Sequence, residues 1–215
     1  ATVGSENIGK DAFYADAALA ALTLNKEVKT IGDGAFKSCS ALTGINIEGS
    51  ALESIGNEAF AYTSISALDL SAQKSLKTVG GWALAKTPIS TATLPNSVSS
   101  VGEGTFFYAA QLETTNLPDS LTTVPAFTFA GAEALVGESI VPATATEMGD
   151  FSFYNACAMA NFAIPKSINR IGTKAMAGMT GLDTIKAHSD AVPALGDSVW
   201  AGIDQPSVKL DLTNM

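Results

Sequence analysis

The chain has 215 residues, of which 47% are hydrophobic and 15% are charged, and its formal net charge is −9. This acidic balance excludes nucleic acid as a partner, because phosphate binding requires a basic groove and the sequence contains no cluster of Lys and Arg. No run of 18 apolar residues is present, so the sequence predicts no membrane-spanning helix.

A six-residue pattern recurs along the whole chain: a large aliphatic residue, Gly, two variable residues, a small residue and a large apolar residue. The clearest copy is residues 31–36, and successive copies begin 22 to 24 residues apart. Units this short cannot each hold a core, so each must bury apolar side chains against its neighbours, which predicts a solenoid. We number the units 1 to 9 by their opening residues, which are Ile8, Ile31, Ile55, Val79, Val101, Val124, Met148, Ile171 and Leu195.

Two columns follow the opening residues. The next position is glycine in eight of nine units, with Pro125 as the exception. Glycine there predicts either a tight turn with positive φ or a close approach between the backbones of stacked units. Five residues after each opening residue comes a large apolar residue, and we expect this column to form a stacked spine. It consists of Phe13, Phe36, Phe60, Leu84, Phe106, Phe129, Phe153, Met176 and Trp200.

Later in each unit, apolar residues alternate with polar ones, as in residues 22–24, 45–47, 68–70, 162–164 and 208–210. Alternation with a period of two predicts a short strand with one buried face. Two more apolar columns flank these strands and are expected in the same interior. They are Leu19, Leu42, Ile65, Ile89, Leu112, Leu135, Met159 and Leu182 before the strand, and Val28, Leu52, Leu76, Val98, Leu121 and Ile168 after it.

The combination of x-Ile-Gly-x-x-Ala-Phe, a Leu and then Ile-x-Ile/Leu-Pro-x-Ser-Val/Leu resembles the BspA-like (Treponema-type) leucine-rich repeat. Its best copies are residues 31–47 and 94–102, and the resemblance covers roughly residues 8 to 210. Units 1 to 3 depart from it, since Asn25, Glu48 and Ser71 replace the proline. In unit 6 the proline, Pro142, is shifted by one position, which predicts altered local geometry there.

This resemblance implies an α/β repeat solenoid: a right-handed leucine-rich-repeat superhelix with one short strand per unit and short helical or turn segments on the opposite side. We expect residues 1–215 to form one domain, with eight full repeats and a partial ninth from residue 195. Members of the family are bacterial proteins, commonly secreted or attached to the cell surface, and are associated with adhesion. The resemblance therefore implies a non-catalytic protein that binds host or extracellular-matrix proteins.

Leucine-rich repeats commonly bind partners on the strand face, so the resemblance places a ligand-binding row at the outward residues of the predicted strands. This row is small, polar and mostly uncharged. We expect its binding energy to be spread over many small contacts, and an ordinary hydrated sheet is the alternative interpretation. The candidate residues are Thr23, Asn46, Asp69, Thr93, Asn116 and Lys186.

An alternative aromatic patch consists of Trp82, Phe127 and Phe151, each two residues before the spine position. Outward-pointing rings would form an apolar interaction site, whereas the usual burial of large aromatics favours packing into the core. Stacked aromatics on the surface would favour a second function class, glycan binding. A featureless sheet would favour a structural spacer of the cell envelope.

The sequence offers little for catalysis or metal binding. The single histidine, His188, excludes any site that pairs histidines, and its neighbour Ser189 is near it only in sequence. One column contains four acids, none of them in adjacent units: Asp33, Glu103, Asp150 and Asp197. We interpret them as solvated turn residues, because a cation site needs several converging oxygens. The sequence therefore predicts no metal and no cofactor.

Cys39 and Cys157 lie five units apart, roughly 24 Å at the usual spacing between strands. This separation far exceeds the reach of a disulfide. We therefore predict two free, buried thiols.

Overall fold

Each unit forms one turn of a parallel β-solenoid in a computed structural model that describes residues 2–3, 5–48, 50–187, 192–204 and 206–211. The opening residue of each unit ends a two-residue strand, and the alternating segment forms a second strand in most units. The described strands, numbered in chain order, are β1 (Thr2–Val3), β2 (Asn7–Ile8), β3 (Ala21–Leu24), β4 (Thr30–Ile31), β5 (Gly44–Asn46), β6 (Ser54–Ile55), β7 (Ala67–Asp69), β8 (Thr78–Val79), β9 (Thr91–Thr93), β10 (Ser100–Val101), β11 (Thr114–Thr115), β12 (Thr123–Val124), β13 (Glu147–Met148), β14 (Asn161–Ile164), β15 (Arg170–Ile171), β16 (Thr184–Ala187), β17 (Ala194–Leu195) and β18 (Lys209–Asp211).

The strands form two rows along the solenoid. The alternating segments make the first row, which is divided into the three-stranded sheets β1-β3-β5, β7-β9-β11 and β14-β16-β18. The opening segments make the second row, a five-stranded sheet β10-β8-β6-β4-β2 followed by a four-stranded sheet β12-β13-β15-β17. Parallel register places equivalent residues side by side, such as Thr23 beside Asn46. We call the outward surface of the first row the strand face.

The third side of each turn, which we call the turn side, holds its neighbours through backbone hydrogen bonds. The N–H groups three, five and seven residues after the opening residue donate to carbonyls of the next unit, as Asp11, Phe13 and Ala15 do at 2.8 to 2.9 Å. The residues three and seven positions after the opening residue have positive φ in every unit, for example Glu58 (φ 53°) and Tyr62 (φ 60°). This repeated geometry defines one rigid edge of the molecule.

Of the expected architecture, the α/β class, the single strand per unit and the helical form of the opposite side are wrong, whereas the turn segments named as the other possibility are present. Within the described ranges the chain forms no helix, and most turns contribute two short strands. The turn side cannot be helical, because a helix requires consecutive residues with negative φ, whereas positive φ recurs twice in each turn. The fold is a parallel-strand β-solenoid of the leucine-rich-repeat type.

The apolar columns form the predicted continuous core. Both columns that flank the first-row strands are buried throughout. The spine is also confirmed: the ring centroids of Phe13 and Phe36 lie 5.2 Å apart and those of Phe36 and Phe60 lie 5.4 Å apart, in nearly parallel planes. At the far end, Leu210 is 63% exposed, because no described turn packs beyond β18.

The glycine column marks a close approach between backbones rather than a turn with positive φ. A Cβ on Gly80 would lie 2.4 Å from the backbone N of Asn57 in the preceding unit, and a Cβ on Gly32 would lie 2.7 Å from that of Lys10. Gly9 belongs to unit 1, and nothing lies within 4 Å of its Cβ position. The structure therefore confirms the predicted close approach between the backbones of stacked units.

Both strand rows are interrupted between units 5 and 6, a boundary that we call the seam. In the second row, the N–H of Gly102 donates to Val79 O and that of Gly149 to Val124 O, both at 2.8 Å. Pro125 has no N–H, and its ring occupies a column where the other units have no side chain, so the ladder stops at β10 and resumes at β12. In the first row, residues 137–146 of unit 6 form no strand, as the shifted Pro142 predicts.

Both cysteines are free, as predicted. Cys39 is buried, and burial raises the pKa of its thiol, which donates to the carbonyl of Phe13 at 2.9 Å. Cys157 is only half-buried, so the expectation that both thiols are buried is wrong for this residue.

Candidate functional site

The predicted ligand-binding row does not form one surface. Four of its members are exposed on the strand face, but they belong to two separate sheets, β1-β3-β5 and β7-β9-β11. Within these sheets, Thr23 lies beside Asn46, and Asp69 lies beside Thr93. Lys186 lies on a third sheet, beyond the seam. The row is therefore divided into short polar segments.

Two of the exposed members are engaged in local turns. Asn46 accepts the backbone N–H of Glu48 at 3.1 Å, and Asp69 accepts that of Ser71 at 2.8 Å. The hydrogen bond from Ser71 also holds the pKa of the Asp69 carboxyl below its usual value. These side chains end their strands by accepting hydrogen bonds from backbone N–H groups of the turn that follows.

The two half-buried members bind other parts of the solenoid. The Asn116 side chain accepts the N–H of Leu94 and donates to its carbonyl, each at 2.9 Å, so it replaces a backbone pairing between units 4 and 5. Lys186 forms an ion pair with Glu138, two units earlier, at 2.9 Å, and the hydrogen bond to Glu138 raises the pKa of its ammonium group. Both residues therefore have structural contacts within the chain.

The seam opens a groove on each strand side. The groove on the strand face has a volume of about 420 Å³ and lies between Asn116 and the unit 6 segment that contains Val141. The groove on the second row has a volume of about 440 Å³ and is lined by Pro125, Glu147 and Arg170. Arg170 forms ion pairs with Glu147 and Asp150, and because Glu103 also lines this second groove, the groove keeps a net negative charge.

The acidic column stabilises the contact between units. Asp33 accepts the N–H of Asn57 at 2.6 Å, and Asp150 accepts that of Thr173 at 2.8 Å. Glu103 and Asp197 are exposed. No group of three metal-ligating side chains occurs among the residues that the structure describes, and His188 and Ser189 lie outside them.

A continuous aromatic surface lies on the turn side and extends over units 4 to 7. Its rings do not belong to the hydrophobic core, so the expectation that Trp82, Phe127 and Phe151 pack inward is wrong. Tyr108 is 45% exposed, and the other members are half-buried. We call this surface the aromatic band, and its members are Trp82, Phe107, Tyr108, Phe127, Phe151 and Tyr154.

Ring contacts make the band continuous from unit to unit. The ring centroid of Trp82 lies 4.7 Å from that of Phe107 and 6.0 Å from that of Phe127, which crosses the seam. Phe127 stacks on Phe151 at 5.0 Å with 6° between the ring planes, and Phe151 meets Tyr154 edge to face at 5.7 Å. The backbone holds Trp82, Phe127 and Phe151 at φ between 56° and 58°, a conformation that directs these bulky side chains away from the core.

Neighbouring units cover the faces of these rings. A Cβ on Gly104 would lie 2.6 Å from the indole of Trp82, so the indole lies flat over the Gly104 backbone. A Cβ on Gly131 would likewise lie 3.0 Å from the ring of Tyr108. Phe127 and Phe151 cover each other in the same way, so one face of each of these four rings is covered.

Comparisons with known proteins agree on the architecture. The family model described as the BspA type leucine rich repeat region (6 copies) matches residues 6–136 and 99–211. Among curated proteins, no relative matches the sequence. The described segments also contain no helix that is long and apolar enough to cross a bilayer.

Three solved structures share the fold at low sequence identity. A leucine-rich repeat protein from Bacteroides ovatus has a TM-score of 0.74 and 22% identity, over 91% of this chain and 56% of its own length. The Treponema pallidum leucine rich repeat protein has a TM-score of 0.59 and 22% identity, over 82% of this chain and 71% of its own. The pneumococcal vaccine antigen PcpA has a TM-score of 0.56 and 19% identity, over 99% and 68%.

This chain thus spans 56% of the Bacteroides protein's length. The repeated opening pattern, the stacked spine and the family match over most of the sequence lead to one conclusion. The chain belongs to the BspA-type leucine-rich repeat family.

Proposed function

We propose that this protein is a non-catalytic, exported bacterial scaffold that binds a protein partner through the aromatic band on its turn side. The observation that supports this proposal is the band itself, six rings in contact across four consecutive units and partly open to solvent. Contiguous exposed aromatics mark interaction sites, and aromatic residues are enriched at the centres of protein interfaces. A partner would cover the ring edges and exclude water from them.

The band is rigid before a partner arrives. The turn-side hydrogen bonds fix its backbone, since the N–H groups of Phe127 and Phe151 donate to the following units at 2.9 Å. Ring stacking fixes the side chains, so little rotamer freedom remains to be lost on binding. A surface organised in this way retains more of its contact energy as affinity.

The strand face is a weaker candidate. Its exposed row is polar and divided between sheets, and Asn116 and Lys186 already have partners within the chain. The exposed members Thr23, Asn46, Asp69 and Thr93 remain a predicted secondary surface with graded, distributed contacts. Affinity there would come from many small terms, as the sequence predicts.

A glycan ligand is the alternative, and it would have only the uncovered faces of these rings to stack on. A sugar stacks its C–H groups on the open face of an aromatic ring. In the band, backbone covers Trp82 and Tyr108 on one face, and Phe127 and Phe151 cover each other. Ring edges suit the aliphatic and aromatic side chains of a protein better.

Export rests on family membership. Membership in the BspA-type family implies a secreted or surface-attached bacterial protein, and one fold neighbour is a pneumococcal vaccine antigen. We place this protein outside the cell on that basis. Antibody labelling of intact cells of the native organism tests the placement, and labelling that requires permeabilised cells would contradict it.

The binding proposal is tested on an array that holds both extracellular-matrix proteins and polysaccharides, at physiological salt. The band variant is Phe127→Asn with Phe151→Asn, because Asn tolerates positive φ while it removes the rings. Ser198→Asn is the matched control, since Ser198 has φ 56° at the equivalent position of unit 9 and lies outside the band. Thr23→Lys with Thr93→Lys tests the strand face.

A saturable protein signal that the band variant loses and the Ser198 control retains would support the proposal. A protein signal lost only in the strand-face variant would transfer the site to the first row. A signal from polysaccharides alone would support glycan binding. The absence of a binding signal from both proteins and polysaccharides would favour a structural spacer.

A further inference from the structure

Two lysines flank the aromatic band, one near each end. Lys86 is exposed, and its ammonium nitrogen lies 5.2 Å from the ring centroid of Tyr62 and 6.0 Å from that of Tyr108. Lys174 is exposed, and its nitrogen lies 5.8 Å from the centroid of Phe151. Both cations are thus held against rings of the turn side.

Neither lysine has a carboxylate partner among the described residues, although the chain is acidic. The ion pairs of the described segments use other cations, such as Lys37 with Glu58 and Lys186 with Glu138. Lys86 and Lys174 therefore provide two uncompensated positive charges on a protein whose net charge is −9. Their charge is available to a ligand.

We propose that the aromatic band and its flanking lysines bind an extended peptide segment whose apolar centre is flanked by acidic residues. This inference rests on the proposed function and specifies the chemistry of the partner. The apolar centre would cover the edges of Trp82, Phe127 and Phe151, while the two carboxylates would meet Lys86 and Lys174. Aromatic and aliphatic side chains are the complementary surface for ring edges, and opposite charges at the rim fix register and orientation.

The spacing of the lysines sets the length of the segment. Lys86 lies in unit 4 and Lys174 in unit 8, so at the usual strand spacing and with side-chain reach their charges are roughly 15 to 20 Å apart. An extended chain advances about 3.3 Å per residue, so the two acids should be about five or six residues apart. Glu103 follows the second row near the middle of this span, and its charge disfavours an acid at the centre of the peptide.

The test uses fluorescence anisotropy with synthetic labelled peptides and the full chain. The probe is a seven-residue peptide with Asp at positions 1 and 7, and positions 2 to 6 are filled with Leu, Phe and Val residues. One comparison peptide carries both Asp residues at its centre, and a second carries Lys at positions 1 and 7. We expect the Asp-flanked peptide to bind at least fivefold more tightly than either, with a preference that weakens as salt rises.

Charge reversal then connects the preference to the two lysines. The double variant Lys86→Glu with Lys174→Glu should lose the Asp-flanked peptide and bind the Lys-flanked one. Lys166→Glu is the matched control, because Lys166 is exposed and lies outside the band. The band variant Phe127→Asn with Phe151→Asn should weaken every peptide by more than tenfold. Circular dichroism melting curves confirm that each variant is folded.

The outcomes separate this inference from the proposed function. Reversed charge preference in the lysine variant supports the inference. Peptide binding that requires the rings but does not change in the lysine variant overturns the inference and leaves the protein-binding proposal intact. A band-dependent protein signal on the array without any peptide binding has the same meaning. Failure of both the peptides and the array overturns both proposals.

Discussion

The turn side and the strand sides of this solenoid respond differently to the same irregularity. At the seam, the N–H groups of Gly104, Phe106 and Tyr108 still donate to unit 6 at 2.9, 3.0 and 2.7 Å. Both strand rows are interrupted at this boundary. The turn side therefore keeps its full set of hydrogen bonds across the seam, whereas the strand side keeps isolated ones, such as that from the N–H of Val136 to Glu113 O at 3.0 Å.

The difference comes from which backbone groups each side uses. The second row uses the N–H at the glycine column, and Pro125 removes that donor. The turn side uses N–H groups three, five and seven residues after the opening residue, and none of these positions holds proline in any unit. The spine also crosses the seam, because Phe106 stacks on Phe129 at 5.6 Å.

A second interruption, between β5 and β7, is bridged by a side chain. The buried amide of Gln73 donates to the carbonyl of Ile47 at 2.9 Å and accepts the N–H of Leu52 at 3.3 Å. The bonds of Gln73 therefore connect units 2 and 3, where the strand ladder is absent. An interruption in one row is tolerated wherever the core and one other connection persist.

The largest expected effect comes from truncating the spine at the seam. Phe106→Ala should lower the free energy of unfolding by about 3 to 5 kcal/mol, because it leaves a cavity at a fully buried position of the spine. Phe60→Ala should cost a similar amount in a region with intact second-row pairing. Chemical denaturation followed by circular dichroism and Trp fluorescence measures both values.

These two variants should differ in cooperativity. Since the seam lacks the strand ladders, Phe106→Ala should separate the unfolding of units 1 to 5 from that of units 6 to 9, whereas Phe60→Ala should retain one transition. Coincident single transitions in both variants would show that the hydrogen bonds that remain across the seam couple the two halves. A loss below about 1 kcal/mol, within the range of surface changes, would place the spine outside the core.

Replacing a glycine of the glycine column tests how closely the backbones of successive units approach each other in the second row. Gly80→Ala should cost about 1 to 3 kcal/mol, because the new methyl group would overlap the backbone of unit 3 and force the turns apart. Gly9→Ala is the control, since its Cβ position is empty, and it should change stability by less than about 0.5 kcal/mol. Thermal unfolding of the two variants compares them, and equal melting temperatures would contradict the close approach.

Removing the buried amide tests the second interruption. Gln73→Ala should cost about 1 to 3 kcal/mol, because it leaves the N–H of Leu52 and the carbonyl of Ile47 without this partner. Gln111→Ala, at an exposed glutamine, is the matched control. If urea denaturation finds the two variants equally stable, the amide does not connect units 2 and 3.

The sequence predicts the core well because burial follows the repeat. Phe36, Phe60 and Phe106 recur in one column, and each is buried in the spine. The second strand row escapes prediction because its members are only two residues long, too short to show alternation. The family resemblance implies either helical or turn segments there, and the signal that favours turns is Gly34 and Gly104, the two glycines in a column of positive φ.

The candidate site is harder to predict because it depends on contacts between distant units. Trp82 reaches Phe127 by lying across Gly104, and this contact depends on the side-chain direction that positive φ imposes. Sequence spacing identifies Trp82, Phe127 and Phe151 but does not show that their rings join Tyr108 and Tyr154. Likewise, only the fold brings Lys186 to Glu138, 48 residues away.

The smallest effect on stability comes from restoring the backbone N–H that Pro125 lacks. This change is also the most direct test of the comparison between the turn side and the second row. Pro125→Gly supplies an N–H that can donate to Val101 O, and it removes the ring from a column that elsewhere has no Cβ. The gained hydrogen bond contributes about 1 kcal/mol, and the added flexibility of the unfolded chain offsets most of it, so we expect a net change below about 1 kcal/mol. Amide hydrogen exchange of residue 125 provides the measurement, with Gly102 and Gly149 as references within the same row. Protection equal to these references would show that Pro125 alone opens the second-row groove, whereas rapid exchange would assign the opening to the altered path of unit 6.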